Sequence, residues 1–194
     1  MATPDFILEL RAQIGNTELW LPGVTAVVVR AVAVPDGAAA TAPAAAATAA
    51  ADADATRPAL DWSAPLDPAA VEVLVVQRAD NGHWTPVTGI IDPREEPAVA
   101  GAREIEEEAA VQARAVRLLS TEVVGPVTYP NGHVTSYLDI AFAYEWISGE
   151  PHPADGENVA ARFVRADALP PLNPRFSRAV ARALGGQCEA HFSV

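Results

Sequence analysis

Three glutamates, Glu104, Glu107 and Glu108, recur at spacings of three and four residues in the stretch REIEEEAAV. On an α-helix those spacings bring side chains onto one face. Like charges placed that way repel by a few tenths of a kcal/mol per pair, so the arrangement asks for a counter-charge. A divalent cation is the simplest one. A donor set of carboxylates without His or Cys suits a hard ion such as Mg²⁺ or Mn²⁺, which takes carboxylate, water and substrate phosphate oxygens. The expected substrate is therefore a phosphate compound. A bound ion polarises a phosphoryl oxygen and lowers the pKa of a bound water, and one glutamate can then act as base.

The element that must carry these side chains is a helix over Pro97–Ala109, with Pro97 well placed in its first turn. At about 100° per residue, with Ala98 at zero, Ala98, Ala102, Ile105 and Ala109 fall within roughly 60° of one another. That is the face expected to pack. Glu107, Glu104 and Glu108 fall at about 180°, 240° and 280°, away from the packed face, with Arg103 beside them.

The longer stretch from Gly89 to Val111, GIIDPREEPAVAGAREIEEEAAV, resembles the signature of the Nudix hydrolase family. That signature sets a Gly, a Glu, an Arg-Glu pair, an aliphatic residue, a Glu-Glu pair, a Gly and a second aliphatic residue at fixed gaps. Gly89, Glu95, Arg103, Glu104, Ile105, Glu107, Glu108 and Val111 occupy those places. The one departure is Ala110, where the family has Gly. A left-handed backbone is common there, and a residue with a Cβ adopts it at a cost of about 1 kcal/mol.

The resemblance implies an α/β fold, a Nudix-type α/β/α sandwich with a mixed β-sheet, over about residues 20 to 185. It implies that Glu104, Glu107 and Glu108 bind Mg²⁺ or Mn²⁺, with Glu104 as the water-activating base. Glu95 and Arg103 would form an ion pair joining loop to helix. The family often draws one more acid from a late loop, and Glu157 is the candidate, with Glu150 behind it. Asn173 falls where MutT-type members contact the purine edge; helix N-capping is the ordinary role of an Asn there. Trp84, Tyr129 and Phe142 could stack on a base, although core packing is the commoner role of such residues.

The implied activity is Mg-dependent cleavage of a nucleoside diphosphate linked to another moiety: a nucleoside triphosphate, an oxidised purine nucleotide, ADP-ribose or a similar compound. The alternative is a catalytically weak binding or sensor module of the same fold. Many members of the family are homodimers, and a homodimer is expected here.

Other elements frame the glutamate helix. Thr3 and Pro4 open a short helix that Gly15 closes. Leu21 to Val34 and Val71 to Arg78 read as strands of a hairpin, the first of them central in its sheet. Between them an Ala/Thr/Pro/Asp-rich segment at about 35–68 reads as a disordered insertion. His83 to Val87 is a short strand after the Asn81-Gly82 turn. Ala113 to Val127 and Val134 to Trp146 form a second hairpin, followed by a strand at Ala160 to Val164 and a helix at Arg175 to Leu184. The domain reading is an N-terminal helical segment at 1–20, one Nudix domain at 21–187 and a tail at 188–194.

The 194 residues suffice for one core, and a formal charge of −12 argues against binding a nucleic-acid polymer. The single cysteine, Cys188, excludes an intrachain disulfide. With no signal-like start and no spanning segment, a cytoplasmic location without membrane attachment is expected.

Overall fold

The computed structural model describes residues 4–34 and 57–192. Thr3 and most of the alanine-rich insertion, residues 35–56, lie outside the described residues. In order, the elements are α1 (Asp5–Ile14), β1 (Leu19–Ala31), β2 (Val71–Arg78), β3 (Trp84–Thr85), β4 (Val87–Ile90), α2 (Pro97–Ala109), β5 (Gln112–Thr128), β6 (Val134–Ser148), β7 (Asn158–Arg165), α3 (Pro174–Leu184) and β8 (His191–Phe192).

β1 is the spine of one mixed sheet. From Leu19 to Val29 it runs parallel to β6, and its other edge is shared, β4 pairing antiparallel with Gly23 to Ala26 and β2 with Val29 to Ala31. The remaining neighbours extend outward in the order β3-β2-β1-β6-β5-β8, with β7 on β2. From Gly23 to Ala31 every residue of β1 is buried, as expected for a strand covered on both faces. Alternation sorts them: Ala26 and Val28 join the cluster that includes Ile105 and Ala109 of α2, while Val27 and Val29 join the cluster that includes Ala179, Val180 and Ala183 of α3. The result is the expected α/β/α sandwich.

α1 is fastened to the sheet by Arg11. Its guanidinium is buried and donates to the carbonyls of Gly15, Thr17 and Val134 and to the Thr135 hydroxyl. The stretch read as an insertion is shorter than 35–68 at its far end. Leu60, Trp62 and Leu66 pack against the α3-side core, and Arg57 donates to the Ala31 carbonyl at 2.6 Å. Those apolar side chains are what the composition of the surrounding segment hides. The tail contributes β8, which pairs with Ser120 and Thr121 of β5.

α2 is turned differently from the expectation. Its buried residues are Ala100, Gly101, Glu104, Ile105, Glu108 and Ala109, a face rotated by roughly 80° from the alanine face. Two glycines account for the rotation. A Cβ on Gly101 would meet the Tyr144 hydroxyl at 2.0 Å, and one on Gly89 of β4 would meet Glu104 Cδ at 2.1 Å. The helix therefore approaches the sheet along Gly101, where the Tyr144 hydroxyl donates to the Ala98 carbonyl at 2.9 Å. That approach carries Glu104 and Glu108 inward.

Ala110 ends α2 in the left-handed region, φ 54° and ψ 33°, with its N–H donating to the Glu106 carbonyl at 2.9 Å. The backbone keeps the turn that glycine favours and carries the strain of a Cβ in it. Ala110→Gly is expected to stabilise the fold by about 1 kcal/mol, raising the melting temperature by about 2–4 °C. Thermal denaturation followed by circular dichroism checks this, and a lower melting temperature contradicts it.

Candidate active site

The three glutamates separate by exposure. Glu104 is fully buried, Glu108 is 2% exposed, and the Glu107 side chain is 47% exposed. The expectation that all three lie away from the packed face is corrected for Glu104 and Glu108. Glu107 alone points outward.

Arg103 supplies the local counter-charge. Its Nε and Nη2 donate to the two oxygens of Glu95 at 2.9 and 2.8 Å, a side-on bidentate pair that ties the loop before α2 to the helix. Its Nη1 donates to Glu104 Oε1 at 3.0 Å and Glu107 Oε2 at 3.1 Å. The hydrogen bonds from Arg103 Nε and Nη2 hold the Glu95 carboxyl below the ordinary range.

Glu104 and Glu108 are held the other way. Burial, opposed by Arg103 and reinforced by Glu108, raises Glu104 to about 8. Burial, opposed by a hydrogen bond from Asn158, raises Glu108 to about 7. The second oxygen of Glu104, Oε2, is buried and has no hydrogen-bond partner among the described residues. A buried carboxylate oxygen in that state is costly unless something compensates it.

Whether these residues fit a divalent cation turns on that oxygen. Two buried carboxylates, one with an unpartnered oxygen, form a hard-oxygen donor set of the kind Mg²⁺ and Mn²⁺ take. Among the described residues, however, no group of three or more acidic, His or Cys side chains is gathered closely enough to hold a metal. Arg103 Nη1 instead bridges the buried Glu104 and the half-exposed Glu107. The set fits a cation in its chemistry, with Glu104 and Glu108 at its centre.

Asn158, at the start of β7, was not singled out by the sequence. Its Nδ2 donates to Glu108 Oε2 at 2.9 Å across fifty residues of chain, and its own Oδ1 is buried with no hydrogen-bond partner among the described residues. Such a contact orients a carboxylate. No local sequence signal marks it.

Gly89, which leaves room for Glu104, also lines a cavity of about 380 Å³. Ile7 of α1, Tyr137 and Asp139 of β6, Arg175 of α3 and Glu157 complete much of its wall. Glu157 thus stands in the cavity, whereas Glu150 is largely exposed and pairs with Arg30 at 3.4 Å. Asn173 is the N-cap of α3: its Oδ1 accepts from the Phe176 N–H at 3.0 Å, and it is not part of the cavity wall. Of the aromatics, Tyr129 lines the cavity, Phe142 packs in the core beside α2, and Trp84 lies beneath the Arg162 guanidinium.

The family model for the NUDIX domain matches residues 59–184. The match takes in the glutamate helix and leaves out β1, which the insertion separates from the rest. Among solved structures, a MutT NUDIX hydrolase from Burkholderia pseudomallei is 20% identical, with a TM-score of 0.51 over 84% of this chain and 97% of its own. A UDP-X diphosphatase is 14% identical, with a TM-score of 0.53 over 92% of this chain and 70% of its own. An ADP-ribose pyrophosphatase from Streptococcus suis is 18% identical, with a TM-score of 0.50 over 89% and 96%. At such identities the likeness is one of fold. No curated protein matches the chain.

Proposed function

Because the chain belongs to the NUDIX family, we propose that it is a Mg²⁺- or Mn²⁺-dependent pyrophosphohydrolase acting on a nucleoside diphosphate linked to another moiety. The observation that carries this reading is Glu104, wholly buried against Gly89, with one oxygen that has no hydrogen-bond partner among the described residues.

Glu104 and Glu108, joined by Glu107, are the residues that would hold the ion. When bound, such an ion supplies polarisation of a phosphoryl oxygen and a more acidic water. Glu104 accepts the proton as the water oxygen bonds to phosphorus and the anhydride P–O bond breaks. The bond electrons leave with the departing nucleotide or phosphoryl oxygen. Arg103, fixed by Glu95, orients Glu104, and Asn158 orients Glu108. Glu157 is the further acid on the substrate side, supported by its place in the cavity wall. Asn173 keeps a base-reading role only through its amide nitrogen, since its oxygen caps α3.

The test is a panel of nucleoside triphosphates, ADP-ribose, nucleotide sugars and dinucleotides with Mg²⁺ or Mn²⁺ at mildly alkaline pH. The expected products are a nucleotide and a phosphate or phosphoryl compound. No product from any member overturns the reading.

A second reading, a sensor that binds nucleotide without cleaving it, is favoured by the placement of Arg103 against both Glu104 and Glu107. Calorimetric binding without turnover in the same panel would select it. The proposal includes a cytoplasmic homodimer, supported by the exposed apolar Val123 and Phe192 on β5 and β8. Light scattering that gives a monomeric mass removes the dimer. Among the described residues no helix is long and apolar enough to cross a membrane.

A further inference from the structure

The start of β7, beside the glutamate helix, is irregular. β7 pairs antiparallel with β2, Ala161 facing Val76 and Ala160 facing Gln77, but the next residue of β2, Arg78, faces Asn158. Val159 is thus an extra residue in β7, a β-bulge. Its effect is to exchange two side chains between faces. Ala161 and Phe163 pack on the α2 side of the sheet, as do Val76 and Leu74 opposite them. Strict alternation would continue that series to Val159. Instead Val159 is 62% exposed, and Asn158 is turned to the α2 side with 4% exposure. A polar residue goes in and an apolar one out, the reverse of what burial alone favours.

What Asn158 meets inside is Glu108. Its Nδ2 donates to Glu108 Oε2 at 2.9 Å, and its buried Oδ1 has no hydrogen-bond partner among the described residues. Turning the amide over does not relieve this. An ionised carboxylate only accepts, so the amide nitrogen must face Glu108 and the carbonyl oxygen is the atom left over. A buried carbonyl oxygen in that state is costly unless something compensates it.

Two further observations point to a cation as the compensation. The group that holds Glu108 is a neutral amide, whereas the guanidinium across from it, Arg78, is bonded to Asp80 at 3.1 Å. Glu108 is therefore oriented without an ion-pair partner at bonding distance among the described residues. Glu104 lies one turn earlier on the same helix face, and its Oε2 is likewise buried without a partner among the described residues. Two orphaned oxygens from distant parts of the chain thus gather about one carboxylate.

We propose that Asn158 Oδ1 is a ligand of the divalent cation held by Glu104 and Glu108, and that the bulge at Val159 places it there; this rests on the metal-dependent hydrolase reading above. An amide carbonyl is a hard oxygen donor of the class that Mg²⁺ and Mn²⁺ accept. Being neutral, it adds a ligand without adding to the repulsion among the glutamates.

The experiment uses protein made by cell-free synthesis with asparagine carrying ¹³C at its side-chain amide carbon, loaded with Mn²⁺ and observed by electron–nuclear double resonance. A resolved ¹³C coupling is expected in the wild type and is lost in Asn158→Asp, which carries no label at that position. In parallel, Asn158→Leu is expected to bind Mn²⁺ about 10- to 100-fold more weakly. Mn²⁺ bound to the wild type with no ¹³C coupling, or with one only as strong as that of a carbon held through a bridging water, overturns the proposal. The amide then only orients Glu108, and the hydrolase reading stands. A coupling that survives Asn158→Asp overturns it too, because another asparagine is then the ligand, as does an Asn158→Leu variant that binds Mn²⁺ as tightly as the wild type. The wild-type spectrum decides by itself should a variant fail to fold. A wild type that binds no Mn²⁺ removes both this inference and the metal-dependent reading.

Discussion

A Glu104→Gln variant is expected to turn over nucleotide about a hundred to ten thousand times more slowly than the wild type, and to melt at a higher temperature in the absence of metal. The two effects share one cause. Gln keeps the size of Glu, which matters because Gly89 leaves little spare room around Cδ, but it can neither take a proton nor carry the charge that binds a cation. The same neutrality removes the cost of an ionised carboxylate that is fully buried with one oxygen unpartnered. Arg103 retains Glu95 and Glu107 as partners in the variant. Product release measured at saturating substrate, with thermal melts at pH 9 in chelator, tests both halves. Unchanged turnover refutes the assigned role, and a fall in melting temperature would make Glu104 a structural ion-pair partner instead.

The metal-free protein is expected to lose stability as pH rises from about 5 to about 9, and a divalent cation is expected to restore it. Glu104 at about 8 and Glu108 at about 7 both lie above the ordinary carboxyl value of 4.5. In that window the folded chain keeps protons that the unfolded chain has released. Stability therefore falls as pH climbs through the raised values and is fully present below the ordinary one. A single unit of upward shift corresponds to about 1.4 kcal/mol, which for a chain of this size moves the melting temperature by about 3–5 °C. A cation that binds only the folded state stabilises it, and more so at high pH, where protons no longer compete for the carboxylates.

Differential scanning calorimetry at pH 6, 7.5 and 9, with chelator and with excess Mg²⁺, makes the comparison. Glu104→Gln in parallel isolates the carboxylate from general charge repulsion in an acidic chain. Stability that is flat or rises with pH in the metal-free wild type, or a cation effect as large at pH 6 as at pH 9, sinks the assignment.

Much of this architecture was legible in the sequence because its signals were local. The β-branched run Val71 to Arg78 and the helix Pro97–Ala109 have the expected bounds, the latter set by a proline at its first turn and a C-terminal residue forced left-handed. What the sequence hid is relational. A wheel built on alanines places Glu104 and Glu108 outside, because nothing in the helix itself says that Tyr144 fits over Gly101 or that Glu104 fits over Gly89. Asn158 and Arg175 reach their partners from distant elements. Asp139 did leave a mark that could have been read. It is an acid at the alternation positions of Ala141 and Ala143, inside a buried strand, which is the pattern of a carboxylate that must find a partner inside.

The central claim is that Glu104 and Glu108 together hold a divalent cation. The most direct measurement is titration of Mn²⁺ into the metal-free protein at pH 8, with the free ion followed by electron paramagnetic resonance, for the wild type, Glu104→Gln and Glu108→Gln. Saturable binding in the wild type, weakened at least about tenfold in each variant, is the predicted result. A wild type that leaves all Mn²⁺ free, or variants that bind it as tightly as the wild type, would contradict the account.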